Sequence, residues 1–239
     1  LMAWRVIVVG QRYHRTDYGN RWLNWLEGFN RLFCLRYHRL EHDPLELPDT
    51  GPALVVANHL SGLDALLLIA MSNRPLRFMI AREHYNWPGF TWLFRAIGCI
   101  PVDRAGRPEK ALRDAIVALE QGEVVALFPH GRIHLPDDPP RRLKGGAARL
   151  AVRANCSLYP ATIDGVVGAG HILPALVMRG HARVRVHPPI DTTASNLALP
   201  ASNPITSSKP GTFRKRVCAF WSRRIPLCLN ISMQATSWK

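Results

Sequence analysis

Apolar positions along the chain fall into two alternating kinds of run. Ala53–Ala57 (ALVVA) and residues 123–128 (EVVALF) are short continuous apolar stretches, as strands buried on both faces of a parallel sheet require. Residues 158–163 read as a further strand, residues 77–81 and 98–102 as two more, and residues 183–186 alternate as an edge strand would. Helical patterns lie between them, at residues 63–71, 108–121 and the small-residue segment 143–154. In 108–121, Pro108 suits the first turn, Leu112, Ala115, Ile116 and Leu119 share one face, and Gly122 stops the helix. Strands alternating with helices predict an α/β fold built on a mostly parallel sheet flanked by helices.

The two ends read differently. Residues 20–38 place Trp22, Leu23, Trp25, Leu26, Phe29, Leu32, Phe33 and Tyr37 mostly at three- and four-residue spacing, with Arg21, Arg31, Arg36 and Arg39 among them. An aromatic, basic amphipathic helix of this kind suits a lipid headgroup boundary; equally, it could pack on the protein core with its arginines in solvent. After Asp191 no acidic residue recurs, and Ser, Thr and Pro dominate residues 192–211 before a basic segment at 213–229. The chain thus divides into an amphipathic, membrane-associating segment (1–45), an α/β domain (46–191) and a loosely ordered basic tail of weak membrane affinity (192–239).

Composition narrows the partners. A content of 47% hydrophobic and 20% charged residues in 239 excludes a wholly disordered chain. Thirty-one Lys and Arg against 17 Asp and Glu give a formal charge of +14, which favours phosphate-bearing partners: nucleic acid, an anionic membrane, or an acidic carrier or substrate. The five cysteines (Cys34, Cys99, Cys156, Cys218, Cys228) form no CxxC pair, so neither a zinc ribbon nor a disulfide framework is expected. Residues 4–9 are too short an apolar stretch for a signal peptide, and none is expected. The longest apolar region, 51–71, is broken by Asn58, His59 and Asp64, which argues against a spanning helix.

Those three polar residues are where chemistry is expected. Asn58-His59-Leu60-Ser61-Gly62-Leu63-Asp64 follows a buried strand directly. Five residues cover about 140° around a continuous helix, so His59 and Asp64 would not share a face. If the chain turns at 58–62 and a helix starts near Ser61, Asp64 enters the first turn and can reach back to His59. A carboxylate on one imidazole nitrogen leaves the other to accept a proton, as a hydroxyl-activating base must. A capping box between Ser61 and Asp64 would explain those two residues without catalysis, but it leaves Asn58 and His59 unexplained.

With these residues the chain resembles the glycerolipid acyltransferase family, the 1-acylglycerol-3-phosphate acyltransferases and their relatives. The N-H-x-x-x-x-D block is present as Asn58, His59 and Asp64. A Gly-x-[Ile/Val]-x-Val-x-Arg block matches Gly98 to Arg104, and the block usually reading Phe-Pro-Glu-Gly-Thr-Arg appears as Phe128-Pro129-His130-Gly131-Arg132-Ile133. Lys144-Gly145-Gly146 matches a downstream helix start, and Leu158-Tyr159-Pro160-Ala161 the fourth block. The blocks keep family order across about residues 50–165. The resemblance implies that His59 is the general base, that Asp64 orients it, and that Arg104 binds the acceptor's phosphate. By itself Arg104 would read as a surface arginine paired with Asp103. Arg82, where the family often carries lysine, and Lys144 are further candidates for the phosphate site. The loop of His130, Gly131 and Arg132 would help to bind the glycerol phosphate part of the acceptor. His130 in place of the acid and Arg132 in place of threonine would make that pocket more cationic.

The implied reaction moves a fatty acyl group from acyl-CoA or acyl-carrier protein to the hydroxyl of a lysophospholipid such as 1-acylglycerol 3-phosphate, with no metal or cofactor. The implied setting is peripheral, on the cytoplasmic face of an anionic membrane. A non-catalytic basic protein on membranes or nucleic acid is the rival from another class; no nucleic-acid-reading module is recognisable, and nucleic acid is not expected as a partner. A serine hydrolase or thioesterase using Ser61 is the enzymatic rival, against which the chain has no G-x-S-x-G elbow.

Overall fold

The computed structural model of the protein describes residues 2–106, 108–135, 137–139 and 146–191. The predicted tail at 192–239 and Lys144 lie outside the described residues. In chain order, helices Met2–Tyr13 (α1) and Arg21–Leu32 (α2) lead into a π-helical turn at Phe33–Tyr37 and a two-residue strand, Glu41–His42 (β1). Ala53–Ala57 (β2), Asp64–Met71 (α3), Leu76–Ala81 (β3), Arg82–Tyr85 (α4), Thr91–Ile97 (α5) and Ile100–Val102 (β4) follow. The remainder is Glu109–Glu120 (α6), Val124–Leu127 (β5), Gly146–Arg153 (α7), Ser157–Asp164 (β6), Pro174–Val177 (α8) and Arg183–Val186 (β7).

Among the described residues seven strands form one sheet in the order β1-β7-β6-β2-β5-β3-β4. Every pair is parallel except β6 with β7. Strand β2 lies at its middle and is buried at all five positions. Its alternate side chains point to opposite faces, so a run of five apolar residues serves two cores. Ala53, Val55 and Ala57 meet Leu67, Leu68 and Met71 of α3 and Cys34 of the π-turn. Leu54 and Val56 meet Ala115 and Leu119 of α6 and Leu150 and Ala151 of α7. The result is three layers, helix on sheet on helix.

One expectation changes. Residues 183–186 do not form the edge: β7 pairs with β6 on one side and β1 on the other. It alternates because Val184 is buried while Arg185 is exposed; the true edge, β1, is too short to show a period. Residues 4–9 lie within α1.

The N-terminal helices pack on the same unit. A Cβ built on Gly28 of α2 would stand 1.9 Å from the Gly10 carbonyl oxygen of α1, so the two helices cross backbone against backbone. On its other side α2 holds α3: Asn30 Nδ2 donates to the Leu66 carbonyl (3.0 Å) and Arg31 Nη1 to the Ala70 carbonyl (2.7 Å). Arg31 is thus turned onto the Ala70 carbonyl in the last turn of α3, where helical donors run out. The helix packs on the protein core, the second of the two uses expected of this segment. Leu23 and Gly28 are buried, while Trp22 and Phe29 are about half exposed (51% and 47%) beside Trp25, whose ring stacks between theirs.

Candidate active site

Parallel strands release their chains at the same edge, and in open α/β sheets that carboxyl-terminal edge is where ligands are met. His59 follows β2, Arg82 and Glu83 follow β3, Asp103 and Arg104 follow β4, and the Phe128-to-Arg132 loop follows β5. These four strands are contiguous in the sheet. Blocks scattered over 75 positions are therefore neighbours in space.

The turn after β2 is held from several sides. Asn58 clamps it to β6, donating through Nδ2 to the Ile163 carbonyl (2.8 Å) and accepting from the Ile163 N–H at Oδ1 (2.7 Å). The His59 carbonyl accepts from the His134 N–H (2.8 Å), and the Leu60 carbonyl from the Gly170 N–H (2.8 Å). Gly62 donates to the His171 carbonyl (3.1 Å).

Asp64, at the first turn of α3, is fully buried and gathers this turn around its carboxylate. Oδ2 accepts from the N–H of Leu60 (2.6 Å) and of Ser61 (2.8 Å) and faces His59 Nδ1 at 2.8 Å; Oδ1 accepts from Ser61 Oγ (3.0 Å). An acceptor oxygen already facing two donors takes an Nδ1–H as the third, which fixes the tautomer and leaves the lone pair on Nε2. The cap and the dyad are one arrangement, because Ser61 Oγ also accepts from the Leu63 N–H (3.1 Å). Ser61 is fully buried and spends its hydroxyl on this cap, which removes it as a nucleophile. The His59 ring lies flat on Phe128, with centroids 4.1 Å apart and planes 7° apart, and its side chain keeps 21% exposure. The imidazole is thus oriented from the edge and from one face, yet still accessible.

Arg104 does not pair with its neighbour Asp103. Its Nη2 pairs with Glu83, and Nη1 donates to the Gly131 carbonyl (2.8 Å), which ties the end of β4 to the loop after β5. Asp103 is engaged by Arg82 (3.5 Å) and by the N–H groups of Ala105 (3.2 Å) and Gly106 (2.7 Å) in its own turn. The Glu83 carboxyl is held below its ordinary pKa by a bond to its own backbone N–H and by the Arg104 guanidinium.

Gly131 takes a left-handed φ of +69°, and its N–H closes a tight turn onto the Phe128 carbonyl (2.9 Å). That turn leaves Arg132 exposed, but it buries His130, whose ring stacks on His134 at 4.6 Å. The loop's exposed charge is therefore that of Arg132. Two contacts were not expected from the sequence: the ring of Phe128, the first residue of the third block, under His59, and Glu83 on Arg104. Cys34, Cys99 and Cys156 are buried thiols whose pKa values burial pushes up to about 12, about 12 and about 11, far from those of reactive thiolates. Among the described residues no group of three or more His, Cys, Asp or Glu side chains comes together as a metal centre would require.

A family model described as Acyltransferase matches residues 38–164, just over half of the chain. The chain is similar to N-acylphosphatidylethanolamine synthase of Arabidopsis thaliana, with 32% identity over 117 residues, 45% of this chain and 41% of that protein. It is 34% identical over 124 residues to a probable 1-acyl-sn-glycerol-3-phosphate acyltransferase of Mycoplasma genitalium, covering 49% of this chain and 46% of that one. It is 28% identical over 141 residues to the 1-acyl-sn-glycerol-3-phosphate acyltransferase of Streptococcus pneumoniae, covering 58% and 50%. The chain spans about half the length of these curated relatives. In fold it is similar to the crystal structure of the 1-acyl-sn-glycerophosphate acyltransferase from Thermotoga maritima, with a TM-score of 0.64 and 21% identity over all of this chain and 91% of that one.

Proposed function

Because the chain belongs to the acyltransferase family, we propose that it transfers a fatty acyl group from a thioester donor, acyl-CoA or acyl-carrier protein, to the hydroxyl of a lysophospholipid such as 1-acylglycerol 3-phosphate. The observation that carries this reading is the His59–Asp64 dyad, 2.8 Å apart at the sheet edge that also bears Arg104. His59 Nε2 removes the acceptor's hydroxyl proton as that oxygen attacks the thioester carbonyl. The new carbon–oxygen bond forms, the carbon–sulfur bond breaks, and the proton passes from the imidazolium to the departing thiolate. Asp64 stabilises the imidazolium while it lasts. Proton transfer by a positioned base contributes on the order of 10²–10⁴-fold, and holding donor and acceptor together supplies much of the rest. Arg104 would grip the acceptor's phosphate, since a guanidinium meets phosphate oxygens with two parallel donors.

The formal charge of +14 and the exposed aromatics of α2 support a peripheral seat on an anionic membrane, with the cytoplasmic face as the proposed side. No described helix is long and apolar enough to cross a membrane.

The test is an acyl-transfer assay on purified protein with radiolabelled acyl-CoA and acyl-carrier protein, beside His59→Ala. The acceptor panel holds 1-acylglycerol 3-phosphate, other lysophospholipids and phosphatidylethanolamine, the last because of the name of the Arabidopsis relative. Transfer to a lysophospholipid that disappears in His59→Ala supports the reading. Equal transfer by both proteins, or none by a folded wild type, overturns it.

A further inference from the structure

The segments that leave β3 and β4 carry four charges in adjacent positions. The strands are parallel with Ala81 opposite Val102, so Arg82-Glu83 continues beside Asp103-Arg104. The order of signs is reversed between the two, and each cation meets the other segment's anion. The two pairs differ in what else holds them. Asp103 accepts two N–H groups of its own turn and would keep its place without Arg82. Glu83 stands on a single helical turn, its side chain is 53% exposed, and its bonds are to Arg104 and its own backbone. Arg104 is set differently from Arg82: its side chain is only 30% exposed and is anchored through Nη1 to the Gly131 carbonyl, so its position does not depend on Glu83.

We propose that Glu83 is an internal competitor for the acceptor's phosphate, a carboxylate that fills the Arg104 guanidinium in the empty site, yields it to the acceptor and retakes it to help expel the product. This inference rests on the reading of Arg104 as the phosphate's ligand. The chemistry of that reaction gives the competitor a purpose. Acylating a hydroxyl leaves the phosphate untouched, so a site that grips phosphate holds product as firmly as acceptor. A tethered carboxylate weakens both by the same factor and makes the exchange faster. A phosphate monoester, with a charge of about −1.5 to −2 and three acceptor oxygens, is able to displace a singly charged carboxylate from one guanidinium edge. Glu83 is a positioning residue in this scheme and takes no part in bond making.

The experiment uses the full chain and glycerol 3-phosphate as probe, titrated by phosphorus NMR against wild type, Glu83→Gln, Glu83→Ala, Arg104→Ala and the double variant Glu83→Gln/Arg104→Ala. Both Glu83 variants should bind the probe about two- to five-fold tighter, the span that loss of an exposed ion pair allows. Arg104→Ala should bind more weakly, and adding Glu83→Gln to it should change nothing further. In the transfer assay, the acceptor KM and the product inhibition constant should fall together in Glu83→Gln without a matching loss of kcat. A purely structural Glu83 would give the opposite sign, because a loosened Arg104 would weaken binding. Equal or weaker binding in Glu83→Gln overturns the proposal, as does tightening that persists without Arg104 or a wild type that does not bind the probe. If the binding pattern holds while no protein transfers acyl groups, the competition stands and the transfer reading falls; transfer without the binding pattern gives the reverse.

Discussion

Replacing Asp64 separates its part in folding from its part in chemistry. In Asp64→Ala, the N–H groups of Leu60 and Ser61, the Ser61 hydroxyl and His59 Nδ1 all lose their acceptor in a fully buried place. Each stranded buried donor costs about 1–3 kcal/mol, so the sum is roughly 3 kcal/mol or more even if water relieves some of them. In a chain of this size that lowers the melting temperature by on the order of 6–12 °C. Asp64→Asn is different. Its amide oxygen, placed where Oδ2 was, still accepts from Leu60, Ser61 and His59, while the NH₂ meets Ser61 Oγ as a donor. The geometry survives and the negative charge does not. The imidazolium formed when His59 takes a proton then loses a charge-assisted partner, and kcat should fall by about 10²-fold or more with KM for the acceptor little changed. Thermal melts and acyl-transfer kinetics on both variants read the two effects. An Asp64→Asn enzyme within a few-fold of wild-type kcat would refute the orienting role. A loss of stability in Asp64→Asn as large as in Asp64→Ala would refute the bonding account.

Other outcomes follow from packing and burial. Gly28→Ala should destabilise by about 1–3 kcal/mol or more, because its Cβ would stand 1.9 Å from the Gly10 carbonyl, and an unchanged melt would contradict the backbone-to-backbone crossing of α1 and α2. Burial holds the His38 imidazole below its ordinary pKa of 6.5, so the unfolded chain binds the proton more readily. The His38 contribution is therefore present above about pH 6.5 and lost as pH falls below it; melts should show that slope, and His38→Gln should flatten it. Replacing Trp22 and Phe29 together with Ala should reduce sedimentation with anionic vesicles and leave the melting temperature nearly unchanged, since both rings are half exposed. Undiminished vesicle binding would remove α2 from the membrane contact.

What could be read from the sequence was whatever rests on local period and spacing. The ALVVA run announced a central strand because only a strand covered on both faces needs five apolar residues in succession. Helix α6 was legible from its proline, its apolar face and its terminal glycine. The reach from Asp64 to His59 followed from a turn that must precede a helix start. Features set by distant chain were not legible. Strand β1 is two residues long and exists because β7 offers it an edge. Arg31 reads as a solvent cation until α3 brings the Ala70 carbonyl to it. The burial of His130 depends on the turn at Gly131 and on the seating of His134, whose N–H meets the distant His59 carbonyl.

The Arg104 partnership shows most plainly where sequence reasoning needs one more fact. A parallel sheet brings every strand exit to one edge, so an apolar run followed by a polar block, repeated along the chain, places those blocks together whatever their order. That much follows from period alone. Which charges face each other depends on strand order and register, and neither is written in any one block. With β3 beside β4 and Ala81 opposite Val102, the pairs Arg82–Asp103 and Glu83–Arg104 are what that register offers to two segments of opposite sign order. With the strands separated, or their alignment displaced, Asp103 would become the nearest anion to Arg104, as the linear reading has it. The electrostatics at this edge is thus a property of β-sheet register as much as of the motif residues, and an acceptor phosphate would meet a guanidinium already occupied by the neighbouring strand's carboxylate.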